Sequence, residues 1–276
     1  MKKNRTFKQS VTAAPHMVWC VLFIIAPMLF VLYYSFTDKD GKFTLDNIKE
    51  LFDAAYLTTF GHSIFYALIA TLICLVISYP LASAICKFKP HTQQLCMMLI
   101  MLPMWTNFLI RTYTLTQILE KNGIINSFLG LFGIEPIEFL GTGAAVVFGM
   151  VYNFLPYMVL PIHSVLSKMD NRLIEAAADL GCTPARTLFL VKLPLSLSGI
   201  ISGVTMVFVP SISTFYISQV MSKRTIILVG DAIERQFMSN YNYNMGAALS
   251  LVLMILVILS MRIMNRYGDG EEGVVA

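Results

Sequence analysis

Six apolar runs, near residues 15–36, 62–86, 93–110, 141–166, 198–220 and 245–264, divide the chain, and none carries an Asp, Glu, Lys or Arg at its centre. A helix needs about 20 mostly apolar residues to cross a hydrocarbon core, so each run is long enough, or nearly so, to span a bilayer. Barrel strands would be about half this length and would alternate with polar residues. Only 13% of the residues are charged, against roughly a quarter in a soluble domain. The net charge of +4 is spread thinly, without the basic patch that a nucleic-acid binder needs. These patterns exclude a soluble enzyme, a disordered chain and a nucleic-acid binder. They predict an all-α, polytopic integral membrane protein with six transmembrane helices.

Orientation follows from where Lys and Arg collect. The first residues hold Lys2, Lys3, Arg5 and Lys8, and the segment after the fourth run holds Lys168, Arg172, Arg186 and Lys192. Lys87 and Lys89 follow the second run, and Arg262 and Arg266 close the sixth. The loop after the first run is instead rich in acids, from Asp38 to Asp53. Both termini are therefore expected to be cytoplasmic in a multi-pass protein of the bacterial cell membrane, although Arg111, Lys121, Lys223, Arg224 and Arg235 fall on the opposite side. The first run is longer than a signal-peptide core and lacks a small-x-small cleavage site, which predicts an uncleaved first span. Short amphipathic helices are expected within residues 37–61 and 119–140. Cys20, Cys74, Cys86, Cys96 and Cys182 fall in spans or on the cytoplasmic side, so no structural disulfide is expected.

Several chemistries are missing from the sequence. There is no GxxxxGK[ST] phosphate cradle, no GxSxG elbow and no metal-ligand spacing among His16, His62, His91 and His163. No acid pairs with a base inside a run, which argues against an ion-coupled transporter and an intramembrane enzyme. Arg111 lies at the outer edge of the third run, where it would snorkel to water or meet a loop acid. Gly199 and Gly203 form a small-xxx-small pair suited to close helix packing. Pro156, Pro161 and Pro210 are positioned to kink the fourth and fifth runs.

The stretch from Asn171 to Pro194 is patterned differently from the rest. Leu173, Ala176, Ala177 and Leu180 share one helical face and Arg172, Glu175 and Asp179 the opposite one. Gly181 suits a left-handed helix end, Thr183 an N-cap and Pro184 a first helical turn. A rigid peg of eight to ten residues, apolar on one side and outside the bilayer, is suited to a groove on another protein.

This stretch resembles the EAA loop of the membrane subunits of ABC importers. The match runs through Glu175, Ala176, Ala177, Gly181, Leu193 and Pro194, with Val191 where the family carries Ile. The run from Leu102 to Tyr113 and the stretches around Phe154–Pro161 and Val209–Tyr216 are similar to the spermidine/putrescine (PotB-like) subgroup. The resemblance implies the type I importer permease fold: a core at 62–266 with the EAA coupling loop at 171–194, preceded by a first helix and external loop at 15–61 and flanked by tails at 1–14 and 267–276. It implies a transport subunit without an ATPase motif or cofactor of its own, ATP being bound by a partner ATPase dimer. It further implies a second, PotC-like permease and an extracytoplasmic polyamine-binding protein. Glu175 would make polar contacts with the ATPase, the alanines would permit close approach and Gly181 would set the angle between two helices.

A polycation is well served by aromatic faces and carboxylates. Trp105, Tyr113, Tyr152, Tyr157 and Tyr216, with Asp231 and Glu234, are the candidate substrate path. Each aromatic is equally well explained by an interfacial belt, and the acids by a solvated loop or by contact with the binding protein. The same machinery importing an oxyanion, an iron chelate or a sugar is the nearest alternative. An integral-membrane enzyme is a distant one.

Overall fold

The computed structural model describes residues 15–268. They are helical nearly throughout, and the single β pairing among them is a bridge between Thr37 and Phe43. In chain order the helices are α1 (Pro15–Ser35), α2 (Asp46–Glu50), α3 (Ala54–Ile85), α4 (Pro90–Met101), α5 (Phe108–Leu119), α6 (Ile124–Gly130) and α7 (Gly143–Leu166). There follow α8 (Asn171–Asp179), α9 (Pro184–Leu195), α10 (Leu197–Ser213), α11 (Tyr216–Met221), α12 (Val229–Met238) and α13 (Tyr243–Gly268). Four of them, α1, α3, α7 and α13, are long and apolar enough to cross a membrane unaided. Two bent pairs pass the same test only when taken together, Pro90–Trp105 with Phe108–Gly130 at 93° and α9 with α10 at 71°, which gives up to six spans if each pair counts as one.

The expected straight helix over 93–110 is therefore corrected. Pro103 lies in a 3₁₀ turn, Leu102–Trp105, that ends α4; a proline has no amide hydrogen to continue the ladder, and its ring crowds the preceding turn. The chain restarts at Asn107, whose side chain accepts from the amides of Leu109 at 2.9 Å and Ile110 at 3.3 Å and so caps α5. The fifth span is also shorter than 198–220: α10 ends at Ser213, Thr214 is extended, and α11 begins at Tyr216. Pro156, Pro161 and Pro210 all lie inside continuous helices. The second span starts earlier than expected, at Ala54: Ala54, Ala55, Leu57 and Phe60 continue the apolar helix through the polar positions between them. The loop before it holds α2, a short helix of the kind expected within 37–61.

The chain packs as two units. One contains the described residues through Leu57 together with Ala232–Ile255, and the other contains Thr58–Asp231 and the described residues from Leu256. In the first unit, no residue in the apolar window of α1 is buried, a surface that water would penalise and lipid does not. Its last carbonyls are met by side-chain amides, as a helix end requires. Asn47 donates to the carbonyls of Ser35 at 3.3 Å and Thr37 at 3.0 Å, and Asn244 of α13 donates to Thr37 at 2.6 Å and Tyr34 at 3.2 Å.

In the second unit α7 is the central element, with most of its apolar window buried. The Gly199–Gly203 pair allows α10 to lie directly against it. A Cβ on Gly199 would meet the Pro161 carbonyl at 2.9 Å, and one on Gly203 would meet the Met158 sulfur at 2.7 Å, so the small pair packs as the spacing predicts. Met150, Met158, Val159, Ile162 and Ile217 fill the core between these helices and α11.

Candidate functional site

The α8–α9 hairpin is built by local rules. Asp170 caps α8 by accepting from the Arg172 amide at 2.9 Å, a cap that sits one residue before the stretch singled out by the sequence. Nine residues at 1.5 Å each make α8 about 13 Å long. Gly181 then takes φ +78°. The Cys182 amide returns to the Ala177 carbonyl at 3.0 Å and the Gly181 amide to Ala178 at 2.9 Å, the paired hydrogen bonds of a Schellman ending. Thr183 caps α9 by accepting from the Arg186 amide at 3.4 Å, and Pro184 fills the first turn. The hairpin thus has the shape its sequence predicts.

Only part of the apolar face of α8 is covered by its own chain. Ala177 is buried, whereas Leu173 is 48% and Leu180 86% exposed, and Ala176 and Glu175 are exposed as well. The second arm is anchored: Leu188 and Leu193 pack against the core. Within α9, Leu188–Lys192 form a π-turn, Val191 is half-buried and Pro194 exposed. The 71° bend between α9 and α10 falls at Ser196, which is wholly buried. Its hydroxyl donates to the Lys192 carbonyl at 2.6 Å and lies 3.0 Å from the buried Tyr79 hydroxyl of α3. This pair ties the hairpin's root to a membrane helix, and neither residue stood out in the sequence, where each is one hydroxyl in an apolar run. Tyr79→Phe is expected to destabilise the protein by about 1 kcal/mol. Unchanged thermal unfolding in that variant would show that the pair does not hold the hairpin's root.

Arg111 neither snorkels nor meets a loop acid, in contrast to expectation. It is half-buried and reaches back across the break in the third span. Its Nε donates to Asn153 Oδ1 at 2.9 Å, one of its terminal nitrogens to the Pro103 carbonyl at 2.6 Å, and its guanidinium stands 6.0 Å from the Phe108 ring centre. Asn153, 1% exposed in the middle of α7, donates in turn to the Gly149 carbonyl at 2.9 Å and the Thr112 hydroxyl at 3.3 Å. The arginine therefore adds a charged donor to the Pro103 carbonyl, which also accepts from the Thr106 amide at 3.3 Å and hydroxyl at 2.7 Å, and it fixes α5 against α7. An asparagine in the centre of an apolar run was the available signal, since such a residue requires a partner.

Of the candidate path residues, Tyr216 joins this cluster, its ring 6.3 Å from Phe108. Tyr157 contacts Phe154 on its own helix, with ring centres 6.4 Å apart. Trp105 is 76% exposed, and Tyr113 and Tyr152 are exposed; no ring contact joins these three to one another among the described residues. Asp231 is not a solvated loop acid, and that expectation is corrected. It is 7% exposed, and its Oδ2 accepts from the Ser218 hydroxyl at 2.7 Å and the Leu228 amide at 2.8 Å. It sits in the first turn of α12 and reaches back to an orphan amide, as an acid at a helix start does. Glu234 is half-buried one turn further along α12.

The described residues thus combine apolar, membrane-length helices with a capped, half-uncovered helical peg. The chain belongs to the family of binding-protein-dependent transport system inner membrane components, which it matches over residues 75–269. It is 39% identical over 259 residues to the spermidine/putrescine transport system permease protein PotB of Haemophilus influenzae, covering 91% of each chain. It is 39% identical to the PotB permease of Escherichia coli over 247 residues, covering 87% of this chain and 90% of that one. Among solved structures it is similar to a bacterial ABC transporter involved in import of the acidic polysaccharide alginate, with a TM-score of 0.80 at 15% identity over 95% of this chain and 96% of the other. A second alginate transporter structure, in complex with a pentasaccharide-bound periplasmic protein, gives a TM-score of 0.82 at 13% identity over 99% and 97%. At such identities the likeness is one of fold. The chain is therefore a multi-pass permease component of the bacterial inner membrane.

Proposed function

We propose that the chain is the permease subunit of an ATP-driven importer that carries polyamines such as spermidine and putrescine, received from an external binding protein. The observation that carries this reading is the 38–39% identity to PotB permeases of several bacteria over most of each chain. In this reading the termini are cytoplasmic, a PotC-like permease completes the pathway, and α8 docks in a separate ATPase dimer through Glu175, Ala176, Leu180 and the Gly181 turn. Closure of the ATPases around ATP draws the two permeases' pegs together and switches the pathway from inward-open to outward-open. The exposed apolar residues of α8 support that docking, because a helix leaves such a face open at little cost only where a partner covers it.

Trp105, Tyr113, Tyr152, Tyr157 and Tyr216 supply aromatic faces to the path. Each cation–π contact is worth about 0.5–2 kcal/mol, enough to guide a flexible polycation and weak enough to release it. Asp231 and Glu234 contribute negative potential near its outer end. Adding spermidine with its binding protein to the reconstituted complex is expected to raise the ATPase rate severalfold. Stimulation by a sulfate, iron-chelate or sugar system instead would overturn the cargo assignment while leaving the machine intact.

A further inference from the structure

At the root of the hairpin lies a cavity of about 580 Å³. Lys87 and Phe88, which follow α3, form one wall; Ser167 and Met169, which follow α7, form another; Ile174 of α8 and Lys192 of α9 complete it. The lining contains two lysines and no Asp or Glu, and neither lysine makes an ion pair among the described residues. Two ammonium groups facing one small volume repel each other, and an anion between them turns that repulsion into attraction. The turn that carries Lys87 is fixed rather than loose. Gln93 donates to the carbonyls on either side of it, Cys86 at 3.1 Å and Phe88 at 2.8 Å.

The depth of the cavity selects the anion. The apolar helix α3 ends at Ile85, so Lys87 follows the end of a membrane-crossing helix, where lysines gather beside lipid headgroups. Lysine is a point-charge phosphate ligand, and Phe88, Leu166 and Met169 add apolar surface on the same lining against which a glycerol backbone and its first methylenes fit. We infer that this cavity binds the phosphate of an anionic phospholipid, held between Lys87 and Lys192. Because Ile174 and Lys192 belong to the two arms of the hairpin, a bound headgroup touches the hairpin and the ends of two spans at once.

The test is retention of phosphatidylglycerol by the purified intact complex, titrated by native mass spectrometry. A lysine near a membrane surface contributes about fivefold to anionic lipid affinity. The double variant Lys87→Gln/Lys192→Gln is therefore expected to hold the tightest phosphatidylglycerol about 30-fold more weakly, while Lys87→Arg/Lys192→Arg retains it. Equal retention by wild type and the glutamine variant overturns the site, and so does equal loss in the arginine variant. Inorganic phosphate titrated into complex in phosphatidylcholine discs separates the sources: saturable phosphate binding without lipid retention overturns the lipid assignment. Because binding is read without transport, this result stands apart from the outcome of the spermidine experiment.

Discussion

Replacing Gly181 with valine is expected to cut coupled uptake by more than tenfold while leaving the protein inserted in the membrane. Gly181 adopts φ +78°, and a Cβ there would meet nothing within 4 Å, so the effect is one of backbone conformation and not of packing. An L-residue in the left-handed region costs about 1–2 kcal/mol, and a β-branched side chain raises the cost further. About 2 kcal/mol is roughly a 30-fold change in the population of the turn. Loss of the turn breaks the hydrogen bonds from Cys182 to Ala177 and from Gly181 to Ala178 and frees the angle between α8 and α9. Asparagine tolerates the left-handed region, so Gly181→Asn should retain most activity. The check is a pair of assays on the same proteoliposomes, uptake of labelled substrate and ATP hydrolysis. Full coupling in the valine variant would mean that the turn sets no functional angle.

Arg111→Met is the second large effect. It removes two charged hydrogen bonds, to Asn153 and to the Pro103 carbonyl, and leaves Asn153 Oδ1 buried without that donor. Hydrogen bonds to charged groups contribute about 1.5–3 kcal/mol each, so a destabilisation of about 3 kcal/mol is expected, with the bend between α4 and α5 loosened. Asn153→Leu should lose a similar amount. The double variant should lose much less than the sum, because the two residues share one network. Thermal unfolding of the four proteins in one lipid mixture gives the cycle. Additive losses would show that Arg111 and Asn153 act separately.

The long apolar runs were legible because hydropathy acts on whole segments: α1, α7 and α13 lie within a few residues of their expected bounds. The hairpin was legible too, since Gly181, Thr183 and Pro184 act through local backbone rules that need no distant partner. Breaks in the third and fifth spans were not, because hydropathy reads through Pro103 and Thr214 as apolar or neutral. What restarts the third span is a cap at Asn107, and what holds its bend is Arg111 reaching Asn153, 42 residues away in the chain. Tyr79 and Ser196 are 117 residues apart. Such pairs have no local signature, so a polar residue in an apolar run shows that a partner is needed and not which one. Asp231 misled for the same reason, being a loop acid by composition and a buried cap by contact.

The central claim is that α8 grips a separate ATPase, and a photoreactive amino acid placed at position 180, where the native Leu180 is 86% exposed, tests it most directly. Illumination of the assembled complex is predicted to link position 180 to the ATPase subunit, with a yield that changes when ATP is added. Cross-links to lipid alone, in a complex that still transports, would contradict it.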